Sequence, residues 1–347
     1  LEFRRVLFRS VKQAKEYGMH AMGLTDLSNT FGAVKFYKKA IEEGLKPIIG
    51  ADVWLENPNN PEEPYRLLLL CQNQQGFLNL SELLSDAFLH NQEREKAIIK
   101  KQWLFEKNQG LIVLSGAMDG FVGQLIHQNK LDELNQELHQ WKKIFGDRYY
   151  LEIQRHGDEK MRALQEQYIH YAAQMAIELD LPLVATHPIQ FMTKDDFRAH
   201  EAKTCIADGY ILADHRRPKN FNDDQYFKSP EEMIKLFEDI PSAIENTVEI
   251  VKRCNHEFQL GKIFLPDFPI PNNTTIENHL LLEAKNGLDK RLEVLYPDEK
   301  IREQHIPKYL DRLKFEVDVI NKMGYAGYFL IVADFINWSK ANEIPVG

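Results

Sequence analysis

The sequence predicts an α/β domain followed by a helical one. Three observations carry this. From Val11 to Ala185 short apolar runs alternate with amphipathic helical stretches; after Phe197 only helical periodicity remains; and the segment 264–273 contains Pro266, Pro269 and Pro271. Continuous apolar strands between amphipathic helices belong to a mainly parallel sheet covered on its faces, and so many βα units invite barrel-like closure.

The elements follow in order. Residues 1–10 interleave arginines with apolar residues, too short for the apolar core of a signal and without a small-residue cleavage site. They are expected to be foreign, from cloning or assembly. A helix over 11–17 then leads into a strand at 21–24, and a helix over 33–43 into a strand at 47–55. A strand at 65–71 precedes a helix over 77–90 and a strand at 111–114. Helix 131–145, strand 149–153, helix 161–179 and strand 183–185 complete the series. Ser229-Pro230-Glu231-Glu232 combines a capping box with proline at the first helical position, which opens a helix to 238. Pro241 starts another that ends near Cys254.

No helix or central strand tolerates the three closely set prolines that follow, so the domain boundary is placed there, between 268 and 269. Beyond it, helices are expected at 276–295, 309–323 and 328–341. The second carries an apolar stripe at Leu310, Leu313, Val317 and Ile320. The third carries Tyr328, Ile331, Val332, Phe335 and Trp338 on one face, behind a hinge at Gly324 and Gly327.

Composition narrows the function classes. No apolar run is long enough to span a bilayer. Cys71, Cys205 and Cys254 are widely spaced, with neither a CxxC pair nor a disulfide pattern. Buried thiols in a reducing cytoplasm account for all three. The net charge is −9, from 43 Lys and Arg against 52 Asp and Glu. Grip on nucleic-acid phosphates comes from displaced counterions and needs basic excess, so this chain is not a main DNA-binding surface. The basic runs at 94–101 and Arg216-Arg217-Pro218-Lys219 are read as solvated faces.

Catalytic groups of a βα barrel sit at the carboxyl ends of its strands. Thr25-Asp26, Asp52, His156 and His187 fall there. Imidazole and carboxylate are ordinary ligands for zinc or manganese, so such groups on one face can hold a metal. Capping and turn chemistry explain the same residues, Asp26 before Ser28-Asn29 in particular. On the residues alone both readings stand.

A resemblance adds detail. The string Met323-Gly324-Tyr325-Ala326-Gly327-Tyr328-Phe329-Leu330-Ile331-Val332 resembles the start of the palm in bacterial replicative DNA polymerase III alpha subunits. Residues 11–268 resemble the polymerase and histidinol phosphatase (PHP) domain of the same family. Its most specific stretches are Gly23-Leu24-Thr25-Asp26, Gly44 to Asp52, Val184-Ala185-Thr186 and Val248 to Asn255. The resemblance implies a distorted, TIM-like βα barrel over 11–268, incomplete at its amino terminus. A helical start of the polymerase palm, truncated, then follows over 269–347.

Active PHP domains hydrolyse phosphoesters with a multinuclear centre of His, Asp and Glu. Here Leu27 stands where that family carries His, Asp52 where it carries Glu, and Pro188-Ile189-Gln190 where it carries an Asp-x-His pair; its opening His-x-His is absent. His156 matches a retained ligand position and His187 lies beside one. The resemblance therefore implies vestigial positions at Asp26, Asp52 and His156, and no bound metal. Asp334 and Glu343 match no catalytic position of the palm, so this chain is expected to be a scaffold inactive by itself.

For the whole protein, the resemblance implies template-directed transfer of deoxynucleoside triphosphates to a DNA 3′ end with magnesium. The implied partners are DNA, a proofreading exonuclease subunit and other replisome subunits, in the cytoplasm and away from membranes. The rival readings are a PHP-type metal-dependent phosphoesterase and a docking module for the exonuclease subunit.

Overall fold

A computed structural model describes residues 2–262 and 264–346, without the side chains of residues 2–7. The chain divides into two units, Leu1–Phe258 and Gln259–Gly347, each with an apolar cluster of its own.

The first unit holds strands β1 (Ala21–Leu24), β2 (Lys46–Leu55), β3 (Tyr65–Cys71), β4 (Gln92–Glu93), β5 (Lys96–Ile99), β6 (Leu111–Leu114), β7 (Tyr149–Gln154) and β8 (Leu183–Thr186). Its helices are α1 (Glu2–Glu16), α2 (Ala33–Glu43), α3 (Gln74–His90), α4 (Lys101–Glu106), α5 (Phe121–His127), α6 (Leu131–Phe145), α7 (Glu159–Glu178), α8 (Phe197–Asp208), α9 (Pro230–Leu236) and α10 (Pro241–Arg253). The sheet runs β4-β5-β2-β3-β6-β7-β8, with β1 beside the first half of β2. The α/β class holds, but the sheet is mixed where a mainly parallel one is expected. β3 runs antiparallel to both β2 and β6, because residues 56–64 contain no helix and a parallel return requires a crossover. The hairpin β4–β5 overlaps the basic run at 94–101, whose polarity hides it from periodicity.

Strand alternation sorts the side chains. Val53, Leu55, Leu67, Leu69, Val113, Leu151 and Ile153 point outward beneath the helices, where Trp141 is stacked between Phe121 and Phe145 at 5.4 and 5.6 Å. Ile48, Leu70, Ile112, Leu114, Tyr150 and Val184 point inward and form a second cluster with Ile250 and Cys254 at the end of α10. The strand path ends at β8, which is not paired with β1 among the described residues. α10 packs on β8 there, and Ala21 of β1 joins the cluster that α10 completes. Lys46 Nζ secures that helix end through the Val251 carbonyl at 2.6 Å and Asn255 Oδ1 at 2.8 Å.

α1 starts at Glu2, well before the expected helix at 11, and buries Val11 and Ala14 with Phe36 and Ala40 of α2. Of residues 1–10, which the sequence reads as foreign, Leu1 and the side chains of 2–7 lie outside the described residues. The capping box forms as the sequence predicts: Ser229 Oγ accepts from Glu232 N at 3.2 Å, and Ser229 N donates to Glu232 at 2.8 Å.

The second unit holds α11 (Ile276–Leu295), α12 (Glu299–Lys322) and α13 (Ala326–Ala341) around Leu280, Val317, Ala326 and Leu330. α12 begins at Glu299 instead of 309, because Asp298 accepts from Lys300 N and Ile301 N and the helix continues through Pro307. α13 buries Ala326, Gly327 and Leu330, while Phe335 is 54% and Trp338 61% exposed. Gly327 explains the choice of face: a Cβ there would lie 3.1 Å from Ile276 Cδ1, so the bare backbone lets α13 close on α11. The units part after Phe258, ahead of the proline segment, since Phe258 packs edge-on against Phe77 and Tyr37 of the first unit.

Candidate active site at the strand ends

Above the inward apolar layer, the same alternation places Asp52, Arg66, Glu152, Gln154 and Thr186 on the inner face, by register with Leu68, Trp54 and Val184. Asp52 Oδ1 accepts from Arg66 Nε at 3.0 Å, and Asp52 Oδ2 from Arg66 Nη2. The guanidinium lies 4.6 Å from the centre of the Trp54 ring, a cation–π contact. Burial lowers the pKa of Arg66 while Asp119 and Glu152 oppose the shift; the guanidinium stays charged throughout.

Glu152 is 3% exposed. Its Oε2 accepts from Gly116 N at 3.0 Å, and its Oε1 from Gln154 Nε2 at 3.0 Å and from Thr186 Oγ1. Burial pushes this carboxyl above its ordinary range, against the pull of those donors. Gly116 adopts φ +79°, and a Cβ there would stand 2.1 Å from the Arg66 carbonyl. Only glycine fits that turn.

Asp26 and Asp52 lie on adjacent chains: Asp52 N donates to the Asp26 carbonyl at 3.2 Å, and Leu27 bridges to Asp52. Among the described residues the Asp26 side chain makes no hydrogen bond or ion pair, and burial raises its pKa. His156 and His187 meet at the ends of β7 and β8, their rings 6.3 Å apart and edge to face. In the tautomers assigned from the bonding network, His156 Nδ1 accepts from Asn222 at 3.2 Å and His187 Nε2 donates to the Asp224 carbonyl at 2.9 Å. His187 Nδ1 is buried without a partner. Burial lowers both histidines, His187 to about 4, so both are neutral at physiological pH. The Asp224 carboxylate is occupied by Lys228 at 2.6 Å and Arg162 at 3.2 Å.

These groups do not fit a metal centre. The carboxylates of Asp52 and Asp224 face protein cations, and Leu27 and Pro188 offer no lone pair. Among the described residues no group of three or more His, Cys, Asp or Glu could hold a metal. Asp334 and Glu343 are exposed in the second unit. Within the basic runs Arg216 pairs with Asp214 at 2.8 Å, Arg217 with Glu201 at 2.6 Å and Lys101 with Glu137 at 2.5 Å. Sequence reasoning missed Arg66, Glu152 and Asp224. The available signal was a lone charge inside an apolar strand, as in Tyr-Arg-Leu-Leu and Leu-Glu-Ile.

Two family models match the chain: the PHP domain over residues 9–156 and the bacterial DNA polymerase III alpha NTPase domain over residues 278–347. Curated proteins named DNA polymerase III subunit alpha are similar over 97% of this chain, at 46% identity in Pseudomonas fluorescens and Vibrio cholerae and 43% in Escherichia coli O157:H7. The chain spans 29% of the length of these relatives. A solved structure of a putative metal-dependent phosphoesterase from Bifidobacterium adolescentis covers 52% of this chain and 80% of its own, at 13% identity and a TM-score of 0.33, too distant a likeness to carry an argument.

Proposed function

We propose that the chain belongs to the family of bacterial DNA polymerase III alpha subunits, is part of a replicative DNA polymerase and serves there as a scaffold. The whole protein transfers deoxynucleoside monophosphates from dNTPs to a DNA 3′ end on a template, with magnesium held by carboxylates of the palm. It works in the cytoplasm with DNA, a proofreading exonuclease subunit and other replisome subunits. Similarity along 97% of the chain to three polymerase subunits supports this reading.

The first unit is a PHP domain that hydrolyses nothing and binds no metal tightly. The observation that carries this part is the Asp52–Arg66 pair, which occupies with protein charge a carboxylate that hydrolysis would assign to a metal. Two measurements test the proposal. In the coding sequence downstream of Gly347, a glycine-rich loop followed by paired aspartates is expected, and its absence removes the polymerase assignment. Elemental analysis of the dialysed chain should find no stoichiometric zinc or manganese, and phosphoesters should remain intact. Two tightly held ions per chain would restore the phosphoesterase reading.

A further inference from the structure

The strand-end acids already hold a cation of their own. Asp52 comes from β2, Asp119 from the 3-10 turn Ala117–Asp119 and Glu152 from β7. Carboxylates gathered at one end of a sheet repel one another unless a cation neutralises them. A divalent ion is one solution and a guanidinium is another. Arg66 is held on several sides for that task. Asp52 takes both ends of its fork, and the Trp54 ring covers its face at 4.6 Å. Its carbonyl abuts the Gly116 turn whose N–H holds Glu152 Oε2. The base and the buried acid are thus linked through one glycine.

We propose that Arg66 is the resident cation of this site: its guanidinium neutralises Asp52 in place of a metal ion. A tethered guanidinium cannot dissociate, and its planar fork matches carboxylates. It has no open coordination position, so it cannot activate water as a metal does. The site keeps a hydrolase's charge balance without its reactivity. This role concerns the first unit alone and stands whether or not the polymerase assignment does.

The test is a thermal-unfolding cycle on the whole chain with Arg66→Met, Asp52→Asn and the double variant. Arg66→Met leaves the Asp52 carboxylate unpaired and should lower the midpoint by roughly 5–10 °C. Adding Asp52→Asn removes that orphan, so the double variant should unfold above Arg66→Met alone. A midpoint equal to the sum of the two single effects would overturn the pairing. Should Arg66→Met fail to fold, calorimetric titration of the unmodified chain with Mn2+ decides. No binding is expected up to about 1 mM, and stoichiometric binding tighter than about 10 μM would show that Arg66 has not displaced the metal.

Discussion

Asp26 is half-buried, without a hydrogen-bonding or ionic partner among the described residues, and its pKa is raised by burial. Its folded pKa lies above the unfolded value near 3.8, so the ionised form is penalised by folding at neutral pH, and the penalty disappears as pH falls below that value. Asp26→Asn should therefore raise the unfolding midpoint by about 2–4 °C at pH 7 and have little effect at about pH 3. A fall at pH 7 would mean that the carboxylate has a stabilising partner. At this scale His156 was legible because it follows the apolar run of β7, whereas Asp52, inside β2, was singled out only by its late place in the strand. Arg66 and Glu152 were not. Inside Tyr65–Cys71 and Tyr149–Gln154 a single charge reads as ordinary outward polarity, and only the closure of the inner face reverses that meaning.

Arg155 ties several elements together. From the end of β7 its Nε and Nη2 reach Glu166 of α7 at 2.6 and 2.8 Å, and its two terminal nitrogens reach Asp239 between α9 and α10 at 2.6 and 2.9 Å. Nη1 also donates to the Leu236 carbonyl at 2.8 Å, above the Phe237 ring. Both acids are about half exposed, so solvent screening limits what the pairs contribute. Arg155→Met should reduce stability by about 1–2 kcal/mol, and Arg155→Lys should not restore it, since an ammonium cannot span both carboxylates. An unchanged urea midpoint in Arg155→Met would refute this. Most elements were legible from periodicity, including the capping box at Ser229. The direction of β3 was not, because direction is decided by the connection rather than by the strand. The early start of α12 was missed because Pro307, normally a stop signal, lies inside it.

Across the whole molecule, the described residues between 259 and 275 contain neither helix nor strand, and Lys262 is exposed among them. Trypsin should cut first at Lys262 and leave both units folded; first cleavage within 1–258 would refute the division. The prolines signalled a boundary but not its position, which Phe258 fixes by packing backward onto aromatic rings far away in sequence. The tie from Lys46 to the Val251 carbonyl joins residues 205 positions apart. On a ribosome adding 5–20 residues per second, β2 therefore waits roughly 10–40 s for the helix that covers the inner face. During synthesis that apolar face has no native cover, however stable the finished unit is. The length of this vulnerable interval, and the time for which a chaperone must hold the nascent chain, follow from the position of α10 in the gene and not from the strength of its packing.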